Sequence, residues 1–106
     1  LGRAIELTLT GEMVGAEKAQ TLGLVSSVVA PDALMDEATT LARKITSKGP
    51  VAVRLALESM YRALDTATAD ALGFESSAFG LLASTSDMKE GMQAFLEKRK
   101  AEFKGA

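Results

Sequence analysis

Leu34, Ala38, Leu41, Ala42 and Ile45 stand at i, i+4, i+7, i+8 and i+11, one apolar stripe along an amphipathic helix. Pro31-Asp32 opens this segment and Gly49-Pro50 closes it. Pro50 suits the first turn of a following helix, where its missing N–H costs nothing. Lys44 and Lys48 lie near the end of the stripe, where cations complement the helix dipole. The same period then recurs. A helix over about 51–65 carries Ala52, Leu55, Ala56, Met60, Ala63 and Leu64. A turn at Thr66-Ala67-Thr68 supplies a candidate N-cap for a helix over about 69–83, with Leu72, Glu75, Ser76, Phe79 and Leu82 on overlapping faces. In the last helix Met88, Gly91, Met92 and Phe95 fall at i, i+3, i+4 and i+7. Asp87 and Glu90 before it form an Asp-x-x-Glu capping pattern, which predicts Asp87 at the N-cap and Glu90 at N3. This pattern restricts the chain to a layer of helices joined by short connections.

The first third is less regular. Ala4, Ile5, Leu7 and Leu9 make a short apolar run between Gly2 and Gly11, which predicts one or two helical turns. Ala16, Ala19 and Leu22 share a face, and Gly23 is a natural left-handed stop. Leu24–Val29 is β-branched and short, an extended segment or a single strand. With 106 residues the expectation is one mainly α domain over 1–106. Four Phe, one Tyr and no Trp leave a core built from Ala, Leu, Val and Met, which buries less area per residue than an aromatic core.

Several chemistries are excluded by composition. There is no cysteine and no histidine, which removes disulfides, thiolate metal sites, the commonest general base and the usual zinc ligand. A net charge of -2 gives no overall attraction to nucleic acid or to an anionic membrane. No apolar run approaches the ~20 residues of a membrane span. No leader is visible, and the expected location is cytoplasmic. No metal-ligand spacing and no phosphate-cradling glycine loop occur; Gly11 and Gly15 are a turn spacing. Acids such as Asp32 and Asp36, or Glu90 and Glu97, read as caps and solubilising charge.

Three features leave alternatives open. Glu75 lies in an Ala-rich stretch between Phe74 and Phe79. It reads either as a partly buried acid with a raised pKa or, the favoured reading, as an acid paired with Arg or Lys of a neighbouring helix or subunit. Lys98, Arg99, Lys100 and Lys104, flanked by Phe95 and Phe103, either complement a helix end or form an anion-binding patch with aromatic faces for a flat base. Met88 and Met92 read as core or interface packing rather than a ligand box.

Two ordered motifs carry a resemblance. Leu7-Thr8-Leu9-Thr10-Gly11 is followed by Ala16-x-x-Ala19-x-x-x-Gly23-Leu24-Val25 and Val28-Val29. Near the other end stands Asp87-x-x-Glu90-Gly91-x-x-Ala94-Phe95-x-Glu97-Lys98-Arg99 with Phe103. Together they resemble the enoyl-CoA hydratase/isomerase (crotonase) family over essentially the whole chain. Leu57 departs from the pattern, since many relatives carry Lys before Glu58-Ser59.

The resemblance implies the helical C-terminal, oligomerising region of a crotonase-like α/β fold, with the N-terminal spiral βαβ core absent. In that family the core supplies two backbone N–H oxyanion donors and, in hydratases, two glutamates. By motif position all of these fall upstream of Leu1. No catalytic residue is therefore expected here, and Glu6, Glu12 and Glu17 match no catalytic motif. Oxyanion donors are worth about 3 kcal/mol each, so the 106-residue chain alone is expected to be inactive. The resemblance also implies assembly into trimers or hexamers, and an acyl-CoA as substrate rather than a bound cofactor. Phe79, Phe95 and Lys98 match residues lining the adenine and phosphate end of the CoA pocket. The implied parent reaction is hydration of a 2-enoyl-CoA. The alternatives are a free-standing, non-catalytic helical oligomerisation module, or a relative with isomerase, decarboxylase or thioesterase activity.

Overall fold

Periodicity and punctuation translate directly into elements. A computed structural model describes all 106 residues. The chain is all-helical and contains no strand. Six α-helices follow in order: α1 (Gly2–Thr10), α2 (Ala16–Thr21), α3 (Leu34–Thr46), α4 (Pro50–Asp65), α5 (Thr68–Ala83) and α6 (Ser86–Leu96). A single 3₁₀ turn, Pro31–Ala33, leads into α3. The chain divides into two compact units, 1–37 and 38–106, with the boundary inside α3.

In the first unit both predicted glycine stops occur. Gly11 ends α1 with φ 65°, and Gly23 follows α2 with φ 77°, a conformation that a side chain would crowd. Leu24 N–H donates to the Ala19 carbonyl at 2.9 Å, wrapping the chain around the end of α2. Leu24–Val29 is not a strand. Its β-branched residues find no partner segment with which to build a ladder, and a lone extended segment gains nothing from strand pairing.

The second unit is organised by a helix pair. Thr66-Ala67 links α4 to α5, and a link this short makes neighbouring helices antiparallel. Ala52, Leu55, Ala56, Ser59 and Met60 of α4 face Glu75, Ala78, Phe79 and Leu82 of α5 across a groove of about 220 Å³. Each set follows the i, i+3, i+4, i+7 rule of one helix face. Leu55 and Ala78 are buried at this seam. At its far end the Arg62 guanidinium lies 4.2 Å from the Phe74 ring centroid and also pairs with Glu58 at 3.4 Å. Helix α5 packs in turn on α6, and Ala94 of α6 is 2% exposed.

Three local expectations need correction. Thr85, not Asp87, caps α6: its hydroxyl accepts from the Met88 N–H at 3.1 Å. The carboxylates of Asp87 and Glu90 are occupied by the chain beyond the helix, so neither turns back on its own first turn. Glu75 is exposed rather than buried, and no ion pair joins it to a neighbouring helix of this chain. Ala67 stands at the N-cap of α5 without a side-chain bond, while the Thr66 hydroxyl donates backwards to the Arg62 carbonyl at 2.9 Å.

The apolar stripes form as read, but few are covered. Leu34, Leu41 and Ile45 of α3 are 58%, 54% and 48% exposed. Leu64 and Leu72 are exposed as well, and only Leu55, Ala78 and Ala94 form the buried apolar core. With so thin a core, helix-end bonds carry an unusual share of stability. Thr85→Ala should therefore cost about 1 kcal/mol, read as a lower urea midpoint with an unchanged slope.

Candidate functional site: a clasped helix end

After α6 the chain reverses and lies back over the helix start. Asp87, 6% exposed, anchors this return. Its two carboxylate oxygens accept from the N–H groups of Lys104 and Gly105 at 2.7 and 2.8 Å. The Asp87 N–H and the Ser86 hydroxyl both donate to the backbone oxygen of Ala106, at 3.0 and 2.7 Å. Residues 86–87 and 104–106 are thus joined by bonds in both directions, two of them charge-assisted.

A second tie lies one turn further along. Arg99 Nη1 and Nη2 donate to the two oxygens of Glu90 at 2.6 and 2.9 Å, a bidentate pair. Arg99 Nε donates to Glu97 at 2.6 Å, and the Glu102 N–H adds a third bond to Glu90 at 2.9 Å. The hydrogen bonds from Arg99, then the one from Glu102, hold the Glu90 carboxyl down at about 2. Arg99, then Gln93, lower that of Glu97 as well. Arg99 is in turn held protonated more firmly than usual by the same two carboxylates.

Phe103 fills the space between the ties. A Cβ on Gly91 would lie 3.4 Å from its ring, and one on Gly49 3.7 Å from it. Glycine inside a helix is ordinarily unfavourable by about 1 kcal/mol against alanine. At Gly91 it lets an aromatic ring approach the backbone of α6. That mid-helix glycine was the available sequence signal for the contact. The bonds of Asp87 and Glu90 had none, because their partners lie nine to eighteen residues away.

The clasp borders two clefts. One, of about 340 Å³, is apolar and lined by Val51, Ala52, Leu82, Met88, Met92 and Phe95 among others. The other, of about 640 Å³, lies between the end of α3, the start of α4 and the returning segment, with Lys48, Lys100 and Lys104 on its walls. The basic residues near the C-terminus therefore differ in their surroundings. Arg99 is engaged by carboxylates, Lys100 and Lys104 face the larger cleft, and Lys98 lines neither.

Of the residues singled out in the sequence, Phe95 is 83% exposed on the rim of the apolar cleft, and Phe79 is 62% exposed on the α4–α5 groove. The groove and the cleft share Ala52 and Leu82, so the two aromatic residues flank adjoining hollows. Lys98 stands just past α6 with φ 54°, exposed and outside all ion pairs. Glu6, Glu12 and Glu17 are all exposed. No cluster of acids is arranged to hold a metal ion, and no helix is long and apolar enough to cross a membrane.

The enoyl-CoA hydratase/isomerase family model matches residues 2–106, and the chain belongs to that family. A probable enoyl-CoA hydratase of Rhizobium meliloti is 49% identical over 102 residues, covering 96% of this chain and 40% of that protein. A crotonyl-CoA hydratase of Syntrophomonas wolfei is 44% identical, with 96% and 39% covered. The crystal structure of an enoyl-CoA hydratase from Bacillus anthracis superposes with a TM-score of 0.97 at 40% identity, over 100% of this chain and 41% of that one. The chain thus spans about 40% of the length of the relatives it matches.

Two measurements check the clasp. Asp87→Ala leaves two backbone N–H groups without their acceptor and should destabilise by about 3 kcal/mol. Asp87→Asn keeps one acceptor and should cost roughly half as much, both read by urea denaturation. The Glu90 tie should be pH-sensitive only in strong acid. A depressed carboxyl contributes stability that is fully present above its ordinary value of 4.5 and is lost as pH falls through about 2. The Glu102 amide resonance should therefore titrate near pH 2, and Arg99→Gln should move that midpoint up toward the usual carboxylate range.

Proposed function

We propose that this chain is the C-terminal trimerisation and CoA-pocket region of an enoyl-CoA hydratase whose full-length form hydrates 2-enoyl-CoA thioesters. The observation that carries the proposal is the state of the end of α6. Phe95 presents most of its ring to solvent beside an apolar cleft, and Lys98 presents an ammonium outside every ion pair. A flat base with an attached phosphate matches that pair, since the ring packs on the base and the ammonium meets the phosphate. Phe79, on the adjoining groove, extends the aromatic lining. The hydratases among its relatives support the reaction class.

The uncovered apolar faces support the assembly. The stripe of α3, the exposed Leu64 and Leu72, and the Met92–Phe95 edge of α6 are apolar surfaces of the kind that subunit contacts bury. In this reading the full-length protein forms trimers, which pair into hexamers. The residues that move protons and stabilise the enolate belong to the rest of the family fold, and this region holds the handle of the substrate.

The reading is tested in the full-length protein by following the loss of the conjugated double bond of crotonyl-CoA, together with sedimentation. Absence of hydration would remove the reaction assignment, and a monomer would remove the assembly. Lys98→Ala should weaken CoA-ester binding by about 1 kcal/mol at low ionic strength, and by less at high salt, because a solvent-facing charge contact is screened. An equal KM for both proteins across the salt range would assign Lys98 to the helix end alone.

A further inference from the structure

Lys98 is the only residue other than glycine with a positive φ, 54°. It sits at the turn by which α6 stops: its N–H donates to the Phe95 carbonyl at 3.3 Å, and the Arg99 N–H donates to the Ala94 carbonyl at 3.0 Å. Such wrap-around stops place one residue in the left-handed region, and glycine is favoured there because a Cβ crowds the following carbonyl. The chain uses glycine for this purpose at Gly11 and Gly23. At the end of α6 it holds a lysine instead, so something else stabilises the strained conformation.

The next residue supplies it. Arg99 reaches back to both oxygens of Glu90 within α6 and across to Glu97 just before the turn. It also donates to the Lys100 carbonyl at 3.2 Å. The path from 97 to 100 is thereby tied on both sides of Lys98, while the Lys98 side chain itself is left free. With its N–H groups directed at carboxylates, Arg99 is placed to hold the turn rather than to meet an anion.

We propose that Arg99 is a positioning residue: clamped by Glu90 and Glu97, it holds Lys98 in the left-handed conformation and so aims the Lys98 ammonium at the phosphate of a CoA ester. The proposal rests on the reading that Lys98 meets the CoA nucleotide. It explains why a strained lysine stands where an unstrained glycine would end the helix equally well.

A two-by-two set of variants in the full-length protein tests it: Lys98→Gly, Arg99→Gln and the double change. The readouts are kcat and KM for crotonyl-CoA hydration, and Kd for free coenzyme A by calorimetry. Arg99→Gln should raise KM and Kd about fivefold, the effect of losing a charge-assisted contact, with kcat holding. In the Lys98→Gly background the same change should leave both within about twofold. Equal losses in both backgrounds would overturn the positioning role and leave Arg99 a purely structural residue. If instead Lys98→Gly by itself leaves the coenzyme A Kd unchanged, the nucleotide reading fails, and the proposal with it. Should Arg99→Gln not accumulate as folded protein, Glu90→Gln in the same two backgrounds reads the same coupling, with the same outcomes supporting or overturning it.

Discussion

The carboxylate of Asp87, buried at the start of α6, accepts two backbone N–H groups from the far end of the chain. A buried carboxylate left without donors is strongly unfavourable, so the returning segment has one well-defined way to lie. That path brings Phe103 onto Gly49 and Gly91, and it carries Glu102 to Glu90. The walls of both clefts beside α6 follow from it, because Phe103 lines each of them. A polar contact inside a mostly apolar layer thereby sets the geometry of the surface at which function is proposed.

The fully buried apolar core is small. Three small or medium side chains make up the buried apolar core, while leucines, methionines and phenylalanines on α3, α5 and α6 remain exposed. The helices persist through their own backbone bonds, the α4–α5 seam and the clasp. This distribution suits a region whose apolar faces are completed by other parts of an assembly, which is the arrangement proposed for the full-length hydratase.

Helix positions were legible because they depend on local rules. Pro31, Gly49-Pro50 and the left-handed Gly11 and Gly23 punctuate a strong apolar period, and the observed ends of α4 and α5 fall at or next to the expected residues, while α3 is shorter than its punctuation, with a 3₁₀ turn at Pro31–Ala33 before it and its end at Thr46. The family motifs were legible for a different reason: they are contiguous strings. The cap of α6 was misread because a capping pattern is a competition. Asp87 has the right chemistry for its own helix, but two N–H groups from residues 104 and 105 hold it instead, and Thr85 takes the cap. Glu75 pairs with no neighbouring helix of the chain, since an acid in an apolar stretch need not face one.

Propensity, period and motif are all written in neighbouring residues, so the helical character of the chain and its place in the enoyl-CoA hydratase/isomerase family were legible before any fold was known. The tertiary structure alone decided which of the charged residues near the C-terminus are free. Arg99 is tied to Glu90 nine positions away and to Glu97, whereas Lys98 stands in a left-handed turn without an ionic partner. Two cations adjacent in sequence have different surroundings because a hydrogen bond depends on direction in space, and that direction is fixed only when the chain has folded back on α6.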